Sequence, residues 1–265
     1  MQSTTHQEEE QKDSQIKPKI SYENVRRLKP EEFYLLEQAE QEAGWGNLKG
    51  EDKYYYEANP DAFFCYEEDG KILGFITAFP YNDNYAFLGK VLWDTAVATL
   101  EQRNIAFDGA ELVQPVYNSE LQIQNLSEIE WKQVLYYDQT VFGFDRSNVL
   151  KVLFDKPDIF SKIAVQDNQI VGYGIIKKTL DGNWYIGPLS VDNFEIADQI
   201  FLSLCESKEN QKVYIVVEEA AQNGMELVQK YQMKKYYDAA RMQNKGVPKE
   251  FNYEKIYFNM SMAFN

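Results

Sequence analysis

Two stretches of this chain share one pattern: an apolar run breaks at an acidic turn, and a residue later two aliphatics, a glycine and a second short apolar run follow. The first covers 63–76, with Asp69-Gly70 at its turn and Gly74 in the returning arm. The second covers 160–175, with Asp167-Asn168 and Gly172 in the same places. Asp69 and Asp167, Gly74 and Gly172, and Gly89 and Gly187 are each 98 positions apart. Short apolar runs on either side of a two-residue Asp-Gly or Asp-Asn turn predict a β-hairpin. One offset holding three landmarks predicts two copies of one α/β unit, and a repeat is weighed before any local motif.

The remaining pattern fills in both units. A strand is expected over 21–25, and Lys29-Pro30-Glu31-Glu32 opens a helix with proline and acids in its first turn. Phe33, Leu35, Leu36 and Ala39 give that helix its apolar face, and Gly44-Trp45-Gly46 ends it. A tyrosine-rich helix follows over 52–58, then the first hairpin, a strand over 84–88, a helix over 90–102 and a strand over 104–107 closed by Asp108-Gly109. Residues 110–132 carry few signals and read as a connector. The second unit opens over 137–144, with a helix over 147–154, its hairpin and a strand at Trp184-Tyr185-Ile186. Asp192-Asn193 offers an N-cap to a helix reaching Cys205. The run over 213–217 is almost wholly apolar, as a strand covered on both faces requires. A helix over 223–231 and strands over 236–242 and 256–262 complete the unit. The expected division is a polar tail over 1–19, an abbreviated first domain over 20–125 and a second domain over 126–265.

Composition narrows the chemistry. No apolar run approaches the roughly 20 residues that span a bilayer, and the tail lacks the apolar core of a signal peptide, so a cytoplasmic protein without a membrane role is expected. The single histidine is His6, in the tail, which leaves the folded body no imidazole for a triad, a general base or a zinc ligand; no metal site is expected. Cys65 and Cys205 sit in apolar segments and read as buried thiols. A net charge of -15 argues against nucleic acid, whose affinity rests on clustered Lys and Arg, and favours cationic partners: a small amine or a basic peptide.

The order of these elements resembles two tandem domains of the GNAT superfamily, the acyl-CoA-dependent N-acetyltransferases. In the first half the resemblance rests on the strands over 63–79 and on Leu92-Trp93-Asp94-Thr95-Ala96, which is similar to the helix under the coenzyme pyrophosphate. In the second it rests on Tyr137-Asp138, Phe142-Gly143, Asp145-Arg146, Ile186-Gly187-Pro188-Leu189 and Ala240-Arg241-Met242. It implies a mixed α/β sheet (α+β) with acetyl-CoA as co-substrate lying in a splay between two parallel strands. By that resemblance Phe87, Leu88 and Gly89 supply the cofactor strand, and Asn223 stands at the place of a cofactor-contacting asparagine, though it also reads as a plain helix N-terminal residue. Trp45, Tyr54 and Tyr55 fall where acceptor-site helices lie and would hold an amine by cation–π contact, unless they only pack on the sheet.

The chain departs from the family between strand and helix. Phe87-Leu88-Gly89 runs directly into Lys90-Val91-Leu92, without the glycine-rich pyrophosphate loop, and the second unit has Gly187-Pro188-Leu189-Ser190-Val191-Asp192-Asn193 in its place. Proline removes an amide donor, and Asp192 repels an anion. From Gly89 to Ile105 there are 16 positions, against 26 from Gly187 to Val213. Glu218 and Glu219, ending an apolar strand, and Asp108, in a turn, are the candidates for a base, and solvated or turn acids are the plainer reading of each. Two functions follow: acetyl transfer to an amine, impaired by loss of the loop, or an inactive GNAT-like protein serving as a binding or regulatory module.

Overall fold

The computed structural model describes residues 22–42, 51–82, 85–92, 102–109, 120–179, 181–206, 211–219, 221–241 and 251–260. The first sheet is antiparallel, in the order β1 (Val25–Arg27), β2 (Phe63–Glu68), β3 (Lys71–Asn82) and β4 (Tyr85–Leu92). A 3-10 turn at Pro30–Glu32 leads into α1 (Phe33–Glu42), and α2 (Glu51–Ala58) is the tyrosine-rich helix. Glu32 accepts the Lys29 N–H at 3.0 Å and ion-pairs with Arg26 at 2.7 Å, so the acid expected to open the helix also ties it to β1.

The second sheet runs β11 (Lys234–Arg241), β5 (Gln102–Asp108), β10 (Val213–Glu218), β9 (Trp184–Val191), β8 (Gln169–Lys178), β7 (Ile159–Gln166) and β6 (Gln122–Asn125), with β12 (Ile256–Phe258) also paired to β9. Its helices are α3 (Trp131–Phe142), α4 (Ser147–Phe154), α5 (Phe194–Cys205) and α6 (Gln222–Lys230). The repeat is visible in the backbone. Asp69 and Gly70 have φ of 50° and 73°, and Asp167 and Asn168 have 51° and 60°, so both hairpins turn on two left-handed residues. Both also carry a bulge one offset apart, between Tyr66 and Glu67 and between Ala164 and Val165.

Three expectations change. The strand over 104–107, read as the close of the first unit, lies in the other sheet, antiparallel to both β10 and β11. Ile105 and Phe107 join one core while Ala106 meets Tyr185 and Val216 on the other face, and a strand apolar on both faces is stable only inside a covered sheet. Within the supposed connector, Gln122–Asn125 is an edge strand on β7, so the division between the sheets does not follow the expected boundary after 125. The helix expected over 90–102 begins as strand: β4 continues to Leu92, opposite Phe75, and 102 already belongs to β5. The residues between lie outside those described.

The two sheets share a core. Phe33, Tyr55, Phe63 and Phe79 of the first unit form one buried cluster with Val134, Leu150, Tyr173 and Phe251. At its base Arg146 is 1% exposed and grips Asp138 through two nitrogens at 3.0 and 2.6 Å, while the Tyr173 hydroxyl donates to the same carboxylate at 2.5 Å. The opposite face of the large sheet carries α5 and α6 over a second core that includes Ile200, Phe201, Leu227, Tyr257 and Phe258. Cys65 and Cys205 are both buried.

Candidate functional site

The large sheet has a splay between parallel strands. β9 and β10 pair from Val213 opposite Trp184 to Ile215 opposite Ile186. Beyond that point β9 continues through a cis Gly187-Pro188 bond and takes a different neighbour: Leu189 and Ser190 pair antiparallel with Phe258 and Ile256 of β12. The Asn259 N–H donates to the Val216 carbonyl at 2.8 Å, tying the same segment to β10. The strand expected over 256–262 to complete the unit is therefore a short one that fills the cleft. Ile256 and Met260 enter one core and Tyr257 and Phe258 the other; two neighbours share a core where the register of β12 against β9 is irregular.

Every wall of the cleft is fitted to this segment. A Cβ on Gly187 would stand 2.0 Å from the Asn259 carbonyl oxygen, and one on Gly224 of α6 2.3 Å from that of Tyr257. The Tyr185 hydroxyl donates to the Asn259 carbonyl at 2.9 Å, and the buried Lys177 ammonium donates to that of Met260 at 2.7 Å. Asn223, the expected cofactor contact, donates from Nδ2 to the Glu254 carbonyl at 2.8 Å. These residues do not fit the pantetheine of acyl-CoA, because the backbone edges it would use already bond to the chain.

The helix N-terminus beside the cleft is likewise committed. Asn193 caps α5 by accepting the Ile196 N–H at 3.0 Å, as its position in the sequence predicts. Asp192 accepts hydrogen bonds from the Tyr137 hydroxyl and the Lys255 ammonium, both at 2.7 Å. Burial, reinforced by Asp192, pushes the Tyr137 phenol well above its usual range. A carboxylate at this end of the helix satisfies the dipole internally. Tyr231 is fully buried and donates to Asp198 of α5 at 2.6 Å.

The candidate bases are kept apart. β5 and β10 are antiparallel, with Tyr214 opposite Asp108 and Glu218 opposite Asn104. Asp108 and Glu218 are thus four residues apart along the ladder, roughly 13 Å. Glu218, buried, ends β10 on the splayed side, and Glu219 beside it is exposed. Asp108 lies at the closed end and pairs with Lys212 at 3.0 Å. A separate cleft of about 630 Å³ lies between α4, β7 and the end of α5, lined by Trp131, Lys151, Phe154 and Phe160, and none of the expected site residues borders it.

In the first unit Gly89 is buried and pairs with Thr77, and Leu88, opposite Ala78, is 56% exposed. Phe87 pairs with Phe79. β4 has β3 on one side and no strand on the other among the described residues. Tyr55 is buried edge-to-face against Phe79, and half-buried Tyr54 lies under the Lys156 ammonium, which also pairs with Glu57 at 2.6 Å. Trp45 lies outside the described residues. Among those described, no group of three metal-ligating side chains is present, and no helix is long and apolar enough to cross a membrane.

A splayed parallel pair, a helix launched from the first of its strands and a hairpin before it all lie within residues 134–258, which match the family model for the acetyltransferase (GNAT) domain. Residues 134–258 form a GNAT domain. The whole chain is similar in fold to a Pyrococcus horikoshii protein assigned provisionally as an acetyltransferase, at 17% identity and a TM-score of 0.70, over 94% of this chain and 98% of that one. A GCN5-related N-acetyltransferase from Sphaerobacter thermophilus superposes with a TM-score of 0.52 at 10% identity, over 86% and 98% of the two chains. A tandem GNAT protein of the clavulanic acid biosynthesis pathway gives 0.52 at 10% identity, over 80% and 95%. No curated protein sequence matches the chain significantly. The GNAT fold supports a general acyltransferase function.

Proposed function

We propose that this protein transfers an acetyl group from acetyl-CoA to the nitrogen of a small amine or basic peptide, and that the co-substrate lies along β4 at Phe87, Leu88 and Gly89. One observation carries this reading. The chain holds two strands in the position from which a GNAT fold binds its co-substrate, β4 and β9. The splayed half of β9 is flanked by β8 and β12, whereas β4 pairs only with β3 among the described residues. Backbone groups of β4 would hold the pantetheine, and the thioester would supply the activated acyl carbon. The acidic composition favours a cationic acceptor through long-range attraction, and Trp45 and Tyr54 would hold it by cation–π contact in this reading, whereas Tyr55 is packed against Phe79.

A specific observation favours a second reading, an inactive GNAT-like binding or regulatory module. The strand that follows β4 in the chain, β5, leaves for the other sheet, so no parallel neighbour for β4 is found among the described residues. Calorimetry with acetyl-CoA, paired with thiol-release assays over polyamines, arylamines and lysine peptides, separates the two. Saturable binding with thiol release on at least one amine supports transfer; neither binding nor release establishes the second reading.

A further inference from the structure

We propose that the cleft between β9 and β10 is a strand-binding site whose ligand is the chain's own segment Ile256–Met260, so that the GNAT domain at 134–258 takes no acyl-CoA. The inference is independent of what β4 binds. It rests on the agreement of three kinds of contact.

The first is backbone pairing. The segment satisfies β9 through Leu189 and Ser190 and β10 through Val216, which are the two edges a splay exposes. In a parallel pair that diverges, those amides and carbonyls need partners, and an inserted strand supplies them as main-chain hydrogen bonds. The second is shape. Gly187 and Gly224 stand where the segment's carbonyls come within 2.0 and 2.3 Å of an added Cβ, so both positions are closed to any side chain while the segment is in place. The third is polar anchoring. Tyr185, Lys177 and Asn223 donate to three different carbonyls of 254–260, and Lys255 neutralises Asp192 at the head of α5. Asp192 and Asn223 are the positions where the family would meet the co-substrate, and both now bind the segment. With Ile256, Tyr257, Phe258 and Met260 each at most 3% exposed, the insert is part of the core and not a surface strap.

Hydrogen exchange on the full chain tests this. The amides of 256–259 should exchange as slowly as those of β9, and millimolar acetyl-CoA should leave peptides over 184–191, 213–219 and 251–260 unchanged. Faster exchange of 256–259 with new protection of 187–191 on adding acetyl-CoA would overturn the proposal, since the segment would then be a displaceable lid on a working site. Exchange of 256–259 at unprotected rates in the free chain would overturn it as well. Tyr185→Phe and Asn223→Ala, each removing one side-chain anchor, should raise exchange of the segment several-fold with acetyl-CoA still without effect there. Binding to the first unit appears separately, in peptides over 85–92, so failure of either proposal is legible without the other.

Discussion

Gly187 and the carbonyl of Asn259 approach so closely that a single added carbon on the glycine would lie 2.0 Å from the oxygen. Gly187 is one of the landmarks of the sequence repeat, and its counterpart Gly89 pairs across its strand with Thr77. The same landmark thus serves two ends. In the second unit it admits the C-terminal segment into the sheet.

Gly187→Ala must move that backbone. Overpacking of this kind costs about 1–3 kcal/mol. Equilibrium denaturation should show a loss of that size, with local exchange of 256–259 rising more than that of β7.

The buried Asp138–Arg146 pair predicts a larger loss. Arg146→Met leaves an ionised carboxylate inside a core where Arg146 and Asp138 are each 1% exposed, and removing one partner of such a pair costs about 3–5 kcal/mol. Tyr173→Phe removes a neutral hydroxyl that donates to Asp138 and accepts from Arg146, and should cost about 1–3 kcal/mol. Urea midpoints for the two variants should fall in that order.

Asp108→Asn is expected to be nearly silent. Its partner Lys212 is a surface residue, and exposed pairs contribute up to about 1 kcal/mol. Because Asp108 stands on β5 in the larger sheet and not in the sheet of β4, where acetyl transfer is proposed, that transfer should keep its rate. A kcat reduced by orders of magnitude with stability unchanged would return Asp108 to consideration as a base.

Two groups give pH dependence of opposite sense. The hydrogen bond from Arg26 holds the Glu32 carboxyl below its ordinary range against the opposing effect of burial. A depressed carboxyl contributes stability that is present above its unfolded value and is lost as pH falls through the folded one. Glu32→Gln should flatten the acid limb of a stability–pH curve. Tyr214 is the reverse case: burial, then its hydrogen bond to Asp181, pushes the phenol up to about 12. Its contribution is full below pH 10 and disappears as pH rises toward 12. Ultraviolet titration of Asp181→Asn should show a phenol ionising closer to its ordinary value.

Much of the local structure was legible because it is set by neighbours in the chain. Asp69-Gly70 and Asp167-Asn168 do adopt the left-handed pair that a two-residue turn needs, and Asn193 does cap α5. Pro30 and Glu32 open the first helix through the ladder to Arg26. The buried thiols and the apolar central strand over 213–218 followed from pattern alone. Asn223, expected as a cofactor contact or a plain helix N-terminal residue, and Asp192, expected to repel an anion, both bond to the segment that fills the cleft.

The sequence by itself determined the repeat, the hairpins, the starts of α1, α4 and α5 and the mixed α/β class, since each depends on turn chemistry and on periodicity within about a dozen residues. Tertiary structure alone decided which sheet each strand joined and what filled the cleft. Ile105, Ala106 and Phe107 read equally well as a central strand of either unit, and only packing against Val216, Tyr185 and Ile215 placed them in the larger sheet. The run Ile256-Tyr257-Phe258-Asn259-Met260 likewise announces an apolar strand without naming its partner. Hydrogen bonds between strands are indifferent to side-chain identity, so pairing over such distances is chosen by the fit of two glycines and the burial of four large side chains, quantities that exist only once the chain has folded.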